Sequence, residues 1–189
     1  MRKVFIICVL ILFSFTIANA GDWSTTIYGC KLSRASLGDT MAGNAEYEDS
    51  YLAAVAVSKE VALLWHDRIQ FEAEGQVVKH FGDQDHWEVN AVPVVLRWLP
   101  FPWDNYVDTS VAAGAGVSYA FEQPKIEAIG DSDSPKFLGY LVFEVGVSIK
   151  QLPDWTLVTR LHHRSGAGGT FGGKHDASNS VGFGVRYNF

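Results

Sequence analysis

Apolar and polar side chains alternate along most of the chain, and this alternation predicts β-strands. Alternate side chains of an extended strand lie on the same face. Within the segment 107–121, Val111, Ala113 and Val117 occupy one face while Gly114 and Gly116 occupy the other. Eight strands are expected, over residues 23–32, 51–59, 68–79, 87–99, 107–121, 137–150, 155–165 and 179–189. No helix of useful length fits the pattern, so the sequence predicts an all-β fold.

The less apolar face of these strands carries charges among glycines and serines: Glu72, Glu74, Glu144, Arg160, Arg164 and Arg186. A soluble barrel would turn this face to water, whereas an outer-membrane barrel turns its apolar face to lipid and keeps a polar interior. Unpaired charges inside a narrow barrel are costly, so the glutamates are expected to pair there with Arg160, Arg164 or Arg186. Glycines on this face are expected to leave room for the long charged side chains, at Gly114, Gly116, Gly146, Gly182 and Gly184.

Four features favour the membrane barrel. The strands reach the ~10 residues needed to cross a bilayer at a tilt, and aromatic residues cluster near their ends, as interfacial girdles do. The chain ends on the strand residues Tyr187-Asn188-Phe189, which resemble the terminal aromatic signal of outer-membrane barrels. Long connections (33–50, 123–136, 166–178) alternate with short ones (60–67, 100–106, 151–154), the segment 80–86 being a short exception. The sequence therefore predicts an eight-stranded antiparallel transmembrane β-barrel in the bacterial outer membrane.

The first twenty residues have the pattern of a secretory signal peptide. Arg2 and Lys3 precede the apolar run 4–17, and Ala18-Asn19-Ala20 is a small-residue cleavage site. An uncleaved membrane anchor is the alternative. Residues 21–189 are then expected to form one barrel domain that retains Cys30 as its single cysteine and so has no internal disulfide. When Arg2 and Lys3 are left out, 13 of the 15 basic residues remain, against 21 acidic ones. The resulting net charge of −8 argues against nucleic-acid binding.

His163 and Ser165 form the most informative polar pair. They lie two positions apart at the end of an apolar strand face that includes Leu157 and Leu161. Their Cα atoms are expected about 6.8 Å apart, and side chains that lean together can form the hydrogen bond that activates a serine nucleophile. At the outer rim of a lipid-facing surface such a pair is costly unless it is used. The ester found at that depth belongs to lipopolysaccharide; two hydrated, inert side chains are the alternative.

The segment from His163 to Gly168, H-R-S-G-A-G, resembles the H-x-S-N-A-G motif of the PagL-type lipid A 3-O-deacylases, which are eight-stranded outer-membrane barrels with a lipid-facing Ser-His-Glu triad. The resemblance implies that the protein removes an ester-linked acyl chain from lipid A. It assigns Ser165 as the nucleophile, His163 as the general base and the amide of Gly168 to the oxyanion hole.

The chain departs from that motif at three positions. Gly166 stands in place of the family's asparagine, and Ala177 stands where the family has its glutamate. Asp176 is the nearest carboxylate, and it is assigned to orient His163. The asparagine that assists the oxyanion hole aligns with Gly173, and Asn179 is a nearby substitute.

The resemblance implies lipid A of the outer leaflet as the partner and no cofactor, and a homodimer stays open. A non-catalytic outer-membrane barrel with a structural or surface-interaction role is the main alternative. A soluble periplasmic lipid carrier, with the two faces reversed, is a third.

Three other polar groups receive plainer interpretations. His162 is expected in an interior polar network, beside Arg160 and Arg164. The residues His80, Asp83, Asp85 and His86 are interpreted as a solvated loop, since they lack the spacing of known metal sites. Asp131-Ser132-Asp133 is a loop tip that could hold divalent cations near lipid phosphates.

Overall fold

A computed structural model describes residues 22–127, 135–171 and 177–189, and within them eight antiparallel strands form a closed barrel. Each strand pairs with the next along the chain, and the last strand pairs with the first. The strands are β1 (Trp23–Ser33), β2 (Tyr47–Leu64), β3 (Ile69–Gly82), β4 (His86–Trp98), β5 (Asp108–Ala120), β6 (Phe137–Ser148), β7 (Trp155–Ser165) and β8 (Ala177–Asn188). The predicted fold class is thereby confirmed.

One short α-helix, α1 (Leu37–Met41), lies in the connection between β1 and β2. Ser36 caps it: its Oγ accepts a hydrogen bond from the Asp39 amide at 3.1 Å, which satisfies one of the free donors of the first turn. No helix in the part of the chain that the structure describes is long and apolar enough to span a bilayer.

The apolar strand faces point out of the barrel. Leu157 and Phe183 are 68% and 74% exposed, exposures that large apolar side chains tolerate when the surrounding medium is lipid. The opposite face of the same strands is buried, as the alternation in β7 shows: Trp155, Leu157 and Thr159 are exposed while Thr156, Val158 and Arg160 are buried. The reversed arrangement of a soluble lipid carrier is therefore wrong.

Aromatic side chains mark both ends of the barrel wall. At the end with the short connections, the rings of Trp155 and Tyr187 have centroids 4.7 Å apart. At the other end, Tyr51 stacks on Phe81 with centroids 5.8 Å apart. That second end carries the connections 34–46, 83–85, 121–136 and 166–176, and we call it the long-loop end. Two aromatic belts around an apolar wall are the arrangement of an outer-membrane barrel.

The barrel interior holds paired charges, as the sequence predicts. The Arg186 guanidinium binds Glu72 at 2.7 Å, and Arg160 binds both Glu74 at 2.9 Å and Glu144 at 2.7 Å. Arg97, which the sequence pattern did not single out, adds a second partner to Glu72 at 2.9 Å. All of these side chains are buried. Breaking one such pair leaves an uncompensated buried charge, at a cost of about 3–5 kcal/mol.

Glycine is needed at two positions of β8 for a different reason from the predicted one. A Cβ atom on Gly182 would lie 1.8 Å from the Gly29 carbonyl oxygen, and one on Gly184 would lie 2.3 Å from the Ile27 carbonyl oxygen. These positions need glycine because the β1 backbone approaches β8 closely. The prediction that they make room for long charged side chains does not explain them.

Candidate functional site at the outer surface of β7 and β8

His163 and Ser165 lie on the same side of β7 as Leu157 and Thr159, the lipid-facing side, at the long-loop end. The pairing of β7 with β8 runs without a bulge from Trp155 to Ser165, so the alternation of faces continues to the end of the strand. Ser165 is partly exposed, but His163 is only 7% exposed. A side chain on the outer wall is buried to that extent only when something outside the wall covers it.

The connection between β1 and β2 lies against the neighbouring part of the wall. The Asn179 side-chain amide donates a hydrogen bond to the Ala35 carbonyl oxygen at 2.7 Å, which ties the connection to the outer face of β8. Helix α1 follows directly, and its residues Thr40 and Met41 lie beside Leu161 and Val181 on the wall. The polar residues of β7 and β8 are thus partly shielded from the surrounding lipid.

Asn179 holds the imidazole of His163. The two residues face each other across the β7–β8 ladder, and His163 Nδ1 lies 2.7 Å from Asn179 Oδ1. Because the Asn179 amide nitrogen donates to Ala35, its oxygen must be the acceptor, so His163 carries its proton on Nδ1. This tautomer leaves Nε2 with a free lone pair, which is the state that a general base requires.

Ser165 has small neighbours on both sides. It pairs with Gly139 on β6 and with Ala177 on β8. The Phe171 ring packs over Gly139, where an added Cβ would meet it at 3.0 Å. No hydrogen bond joins Ser165 to His163, two residues that the structure describes in full. Ser165 is therefore flanked by residues without long side chains, with the Phe171 ring over one of them.

The backbone directly after Ser165 adopts an unusual turn. Ala167, Gly168 and Gly169 have φ angles of 46°, 67° and 100°, all in the left-handed region. Ala167 is strained there, since a side chain in this region costs about 1–2 kcal/mol. The Gly169 and Phe171 amides both donate to the Gly166 carbonyl oxygen, whereas the Gly168 amide donates to no residue among those described. This amide lies three positions beyond Ser165.

The predicted acid, Asp176, lies outside the described residues, as do Gly173 and the Asp131–Asp133 loop tip. The described contact of His163 Nδ1 is with Asn179, a residue that the sequence suggested only as a substitute near the oxyanion hole. The period-2 pattern of β8 places Asn179 on the apolar face together with Val181 and Phe183, and this polar exception on a lipid-facing strand is the signal that could have identified it.

An apolar groove runs along the outer wall below this site. Its volume is about 300 Å3. The side chains that line it come from α1 and from four strands: Met41, Val111, Ala113, Phe143, Val145, Leu161 and Val181. Leu161 is two positions from His163 on the same face, a Cα separation of about 6.8 Å. A hydrocarbon chain lying in this groove would have its end close to His163.

The interior side of the same strand carries His162, as predicted. Its Nδ1 lies 3.2 Å from the Tyr28 hydroxyl and 3.1 Å from the Tyr140 hydroxyl, and its Nε2 lies 3.0 Å from Glu88 Oε1. His162 thus belongs to a buried polar network and takes no part in the outer site.

The interpretation of residues 80–86 as a solvated loop is wrong for both histidines. Strand β3 continues to Gly82 and β4 begins at His86, so the connection is only residues 83–85. His80 and His86 are each 2% exposed and point into the barrel. Glu72 and Glu74 point into the barrel, and the same alternation continued along β3 also predicts that His80 points inward. Asp85 is exposed, and its hydrogen bond with Lys79 holds the pKa of Asp85 below its usual range.

No family model matches the chain, and no curated protein matches it. Among solved structures, the chain is similar to the outer membrane enzyme PagL, with a TM-score of 0.60 and 10% identity over 88% of this chain and 99% of that one. It is also similar to Neisserial surface protein A (NspA), with a TM-score of 0.54 and 15% identity over 89% of this chain and 97% of that one. At these identities the likeness concerns the fold. The chain has the eight-stranded fold of bacterial outer-membrane barrels, and its localisation is the outer membrane.

Proposed function

We propose that the protein is an outer-membrane esterase that removes an ester-linked acyl chain from lipid A, with Ser165 as nucleophile and His163 as general base. The single observation that carries the proposal is the hydrogen bond from His163 Nδ1 to Asn179, on the lipid-facing wall and beside an apolar groove. A structural role alone gives no reason for a barrel to bury a neutral, oriented imidazole outside its own wall.

The proposed reaction has two steps. Ser165 Oγ attacks the ester carbonyl while His163 Nε2 takes the hydroxyl proton, and the Gly168 amide donates to the oxyanion. His163 then gives the proton to the departing sugar oxygen as its bond to the carbonyl carbon breaks, which leaves an acyl group on Ser165. Water, deprotonated by His163, attacks this acyl group and releases it as a fatty acid, and His163 returns the proton to Ser165 Oγ. Rotation about the Cα–Cβ bond of Ser165 on substrate binding brings its hydroxyl to Nε2.

The residue that orients His163 is assigned by contact to Asn179, while Asp176 stays a prediction. An amide that accepts from Nδ1–H holds the tautomer as a carboxylate does, but it stabilises the imidazolium less because it carries no charge. Such a site is expected to be a slower hydrolase than one with an acid in this place.

Lipid A is proposed as the substrate because of where the site lies. The pair is at the long-loop end, which faces outwards in outer-membrane barrels, and at the level of the aromatic belt on the lipid-facing wall. An acyl chain in the groove would place its ester bond near that level. A homodimer is not required, since both proposed catalytic residues and the groove belong to one chain.

Mass spectrometry of lipid A tests the proposal directly. Cells that express the wild-type protein are expected to lose one ester-linked acyl chain from lipid A, and cells that express Ser165→Ala are expected to keep it. Thr25→Ala is the matched control, because Thr25 lies on the outer wall of β1 at the opposite end of the barrel. Equal lipid A profiles with the wild type and with Ser165→Ala would remove the enzymatic proposal.

A non-catalytic surface barrel is the second candidate. The observation that favours it is the missing hydrogen bond between Ser165 and His163 in the described structure. On that proposal lipid A is unchanged by the wild-type protein, while the barrel still fractionates with the outer membrane.

A further inference from the structure

Three potential metal ligands lie together inside the barrel near the long-loop end. His80 is on β3, His86 and Glu88 are on β4, and the connection 83–85 joins the two strands directly above them. Each is at most 2% exposed. None of them takes part in the proposed hydrolysis, which concerns the outer surface of β7 and β8.

Their donor atoms are close enough to share an ion. One ligand atom from each residue lies within 4.8 Å of the other two. His80 Nε2 is 2.9 Å from Glu88 Oε2, and the imidazole rings of His80 and His86 stack with centroids 4.2 Å apart. Around a Zn2+ ion, nitrogen and oxygen ligands stand at about 2.0–2.2 Å from the metal, so donor atoms that now lie up to 4.8 Å apart have to move closer together to bind one ion.

His86 supplies an independent observation. Its Nε2 atom is buried and has no hydrogen-bond partner among the described residues. Leaving a buried polar atom unsatisfied costs about 1–3 kcal/mol. Among the buried atoms without a partner in the described residues, this is the one imidazole nitrogen, and His86 belongs to the cluster with His80 and Glu88.

We propose that His80, His86 and Glu88 bind a divalent transition-metal ion of the Zn2+ class. Two imidazole nitrogens and one carboxylate oxygen are a ligand set that suits Zn2+, with water in the fourth position. Binding through His80 Nε2 moves the proton that now faces Glu88 to Nδ1, where the oxygen of the Gln84 amide accepts it after the amide turns over. It also turns the two imidazole rings out of their parallel stack, so that both lone pairs point at the ion.

The local charge balance accommodates a cation. Glu88 and Glu127 are two buried carboxylates, and one guanidinium, that of Arg164, lies between them. Arg164 is bound to Glu127 at 2.7 Å and to the Ser118 hydroxyl at 2.8 Å, and lies farther from Glu88, at 3.4 Å. With both carboxylates ionised and the histidines neutral, this group has one negative charge in excess, which a bound cation offsets.

Neighbouring residues are arranged to orient the ligands. The Gln84 side-chain amide lies 3.1 Å from His80 Nδ1. His162 Nε2 lies 3.0 Å from Glu88 Oε1, so Oε2, which now contacts His80 Nε2, is the oxygen that would face the ion. Partners of this kind fix the tautomer and rotation of metal ligands. A bound ion would link β3 to β4 beneath the connection 83–85 and stiffen the long-loop end.

Metal analysis of untagged, detergent-solubilised protein tests this inference. After stripping with a chelator and equilibration with Zn2+, the wild-type protein is expected to retain about one zinc per chain. His86→Ala is expected to weaken binding by about 100-fold or more, since loss of a mere orienting partner already costs 10–100-fold. His66→Ala, in the exposed turn 65–68 at the other end, is the matched control and is expected to keep the zinc.

Two further readouts make the outcome decisive. Heat-modifiable electrophoretic mobility shows whether each variant is folded, and Glu88→Gln serves as the second ligand variant if His86→Ala does not fold. Co2+ added to the wild-type protein is expected to give the visible absorption of a four-coordinate site with nitrogen ligands. Wild-type protein that retains no more zinc than His86→Ala or Glu88→Gln, or that lacks this absorption, overturns the proposal. Loss of zinc in His66→Ala overturns it as well.

Discussion

Asn179 Oδ1 lies 2.7 Å from His163 Nδ1, across two neighbouring strands and on the outer surface of the barrel. The Asn179 amide is itself fixed by the Ala35 carbonyl oxygen, so the orientation of the imidazole depends on the β1–β2 connection as well as on β8. The connection that contains α1, at the long-loop end, thereby helps to determine which imidazole nitrogen of His163 carries the proton.

Asn179→Ala is expected to reduce lipid A deacylation by about 10-fold or more, because the imidazole would then be free to take the wrong tautomer. Deacylation is measured as the ratio of intact to shortened lipid A at several expression times. Asp176→Ala is the comparison variant. A larger loss with Asp176→Ala than with Asn179→Ala would assign the orienting role to Asp176.

Ser165→Ala and His163→Ala are each expected to abolish deacylation while the barrel stays folded. Nucleophile and base act as a unit, so the double variant is expected to be barely worse than either single one. Each activity measurement is accompanied by the heat-induced mobility shift, which reports the folded barrel. Activities that fall additively in the double variant would argue against a shared step.

The strands and their faces could be predicted because period-2 alternation reports burial directly. Period-2 alternation no longer reports the face of a residue where a bulge shifts the register. At Pro93, β4 carries extra residues relative to β3 and β5, so Val92 and Val95 both point inward, although strict alternation puts them on opposite faces. Proline cannot donate to the ladder, and such an irregularity accommodates it.

The site was predictable only in part for a related reason. His163 and Ser165 are neighbours within one strand, so their common face follows from the sequence. The contact with Asn179 is a cross-strand pair, and it depends on the β7–β8 register, which the length of the connection 166–176 alone does not determine. The placement of α1 against this part of the wall is a packing arrangement between distant segments, and no local pattern reports it.

Glu72→Gln is expected to destabilise the barrel by about 3 kcal/mol or more, because Arg186 loses its buried counter-charge and Arg97 keeps only its ion pair with Glu144. The measurement is urea unfolding in detergent micelles, followed by tryptophan fluorescence. Glu48→Gln is the matched control: its exposed ion pair with Arg34, at 3.4 Å, contributes less than about 1 kcal/mol. Similar losses in the two variants would mean that the interior pairs contribute no more than surface ones.

The folded protein is expected to fractionate with the outer membrane and to change its electrophoretic mobility when heated in detergent. Both follow from a closed barrel whose outer wall is apolar between two aromatic belts. Density-gradient separation of inner and outer membranes checks the first expectation. Recovery of the protein as a soluble periplasmic monomer would contradict the observed direction of the strand faces.

The apolar groove gives the last prediction, which concerns the acyl chain. Ala113 lines the groove on the outer face of β5, whereas Ala115, two positions along the same face, lies outside it. Ala113→Phe adds an aromatic ring inside the groove, while Ala115→Phe adds the same ring to the adjoining lipid-facing wall. Both changes are compatible with the fold, because both positions already face hydrocarbon.

If the groove holds the acyl chain during hydrolysis, Ala113→Phe shifts the preference towards shorter chains and lowers the rate on the native chain by about 10-fold or more, since one or two displaced methylenes are worth about 1–3 kcal/mol. Ala115→Phe keeps the wild-type preference. The readout is the chain length of the fatty acid released from lipid A. Equal effects of the two variants would mean that the chain binds elsewhere on the wall, whereas an effect confined to Ala113→Phe ties Ser165, His163 and the groove into one site.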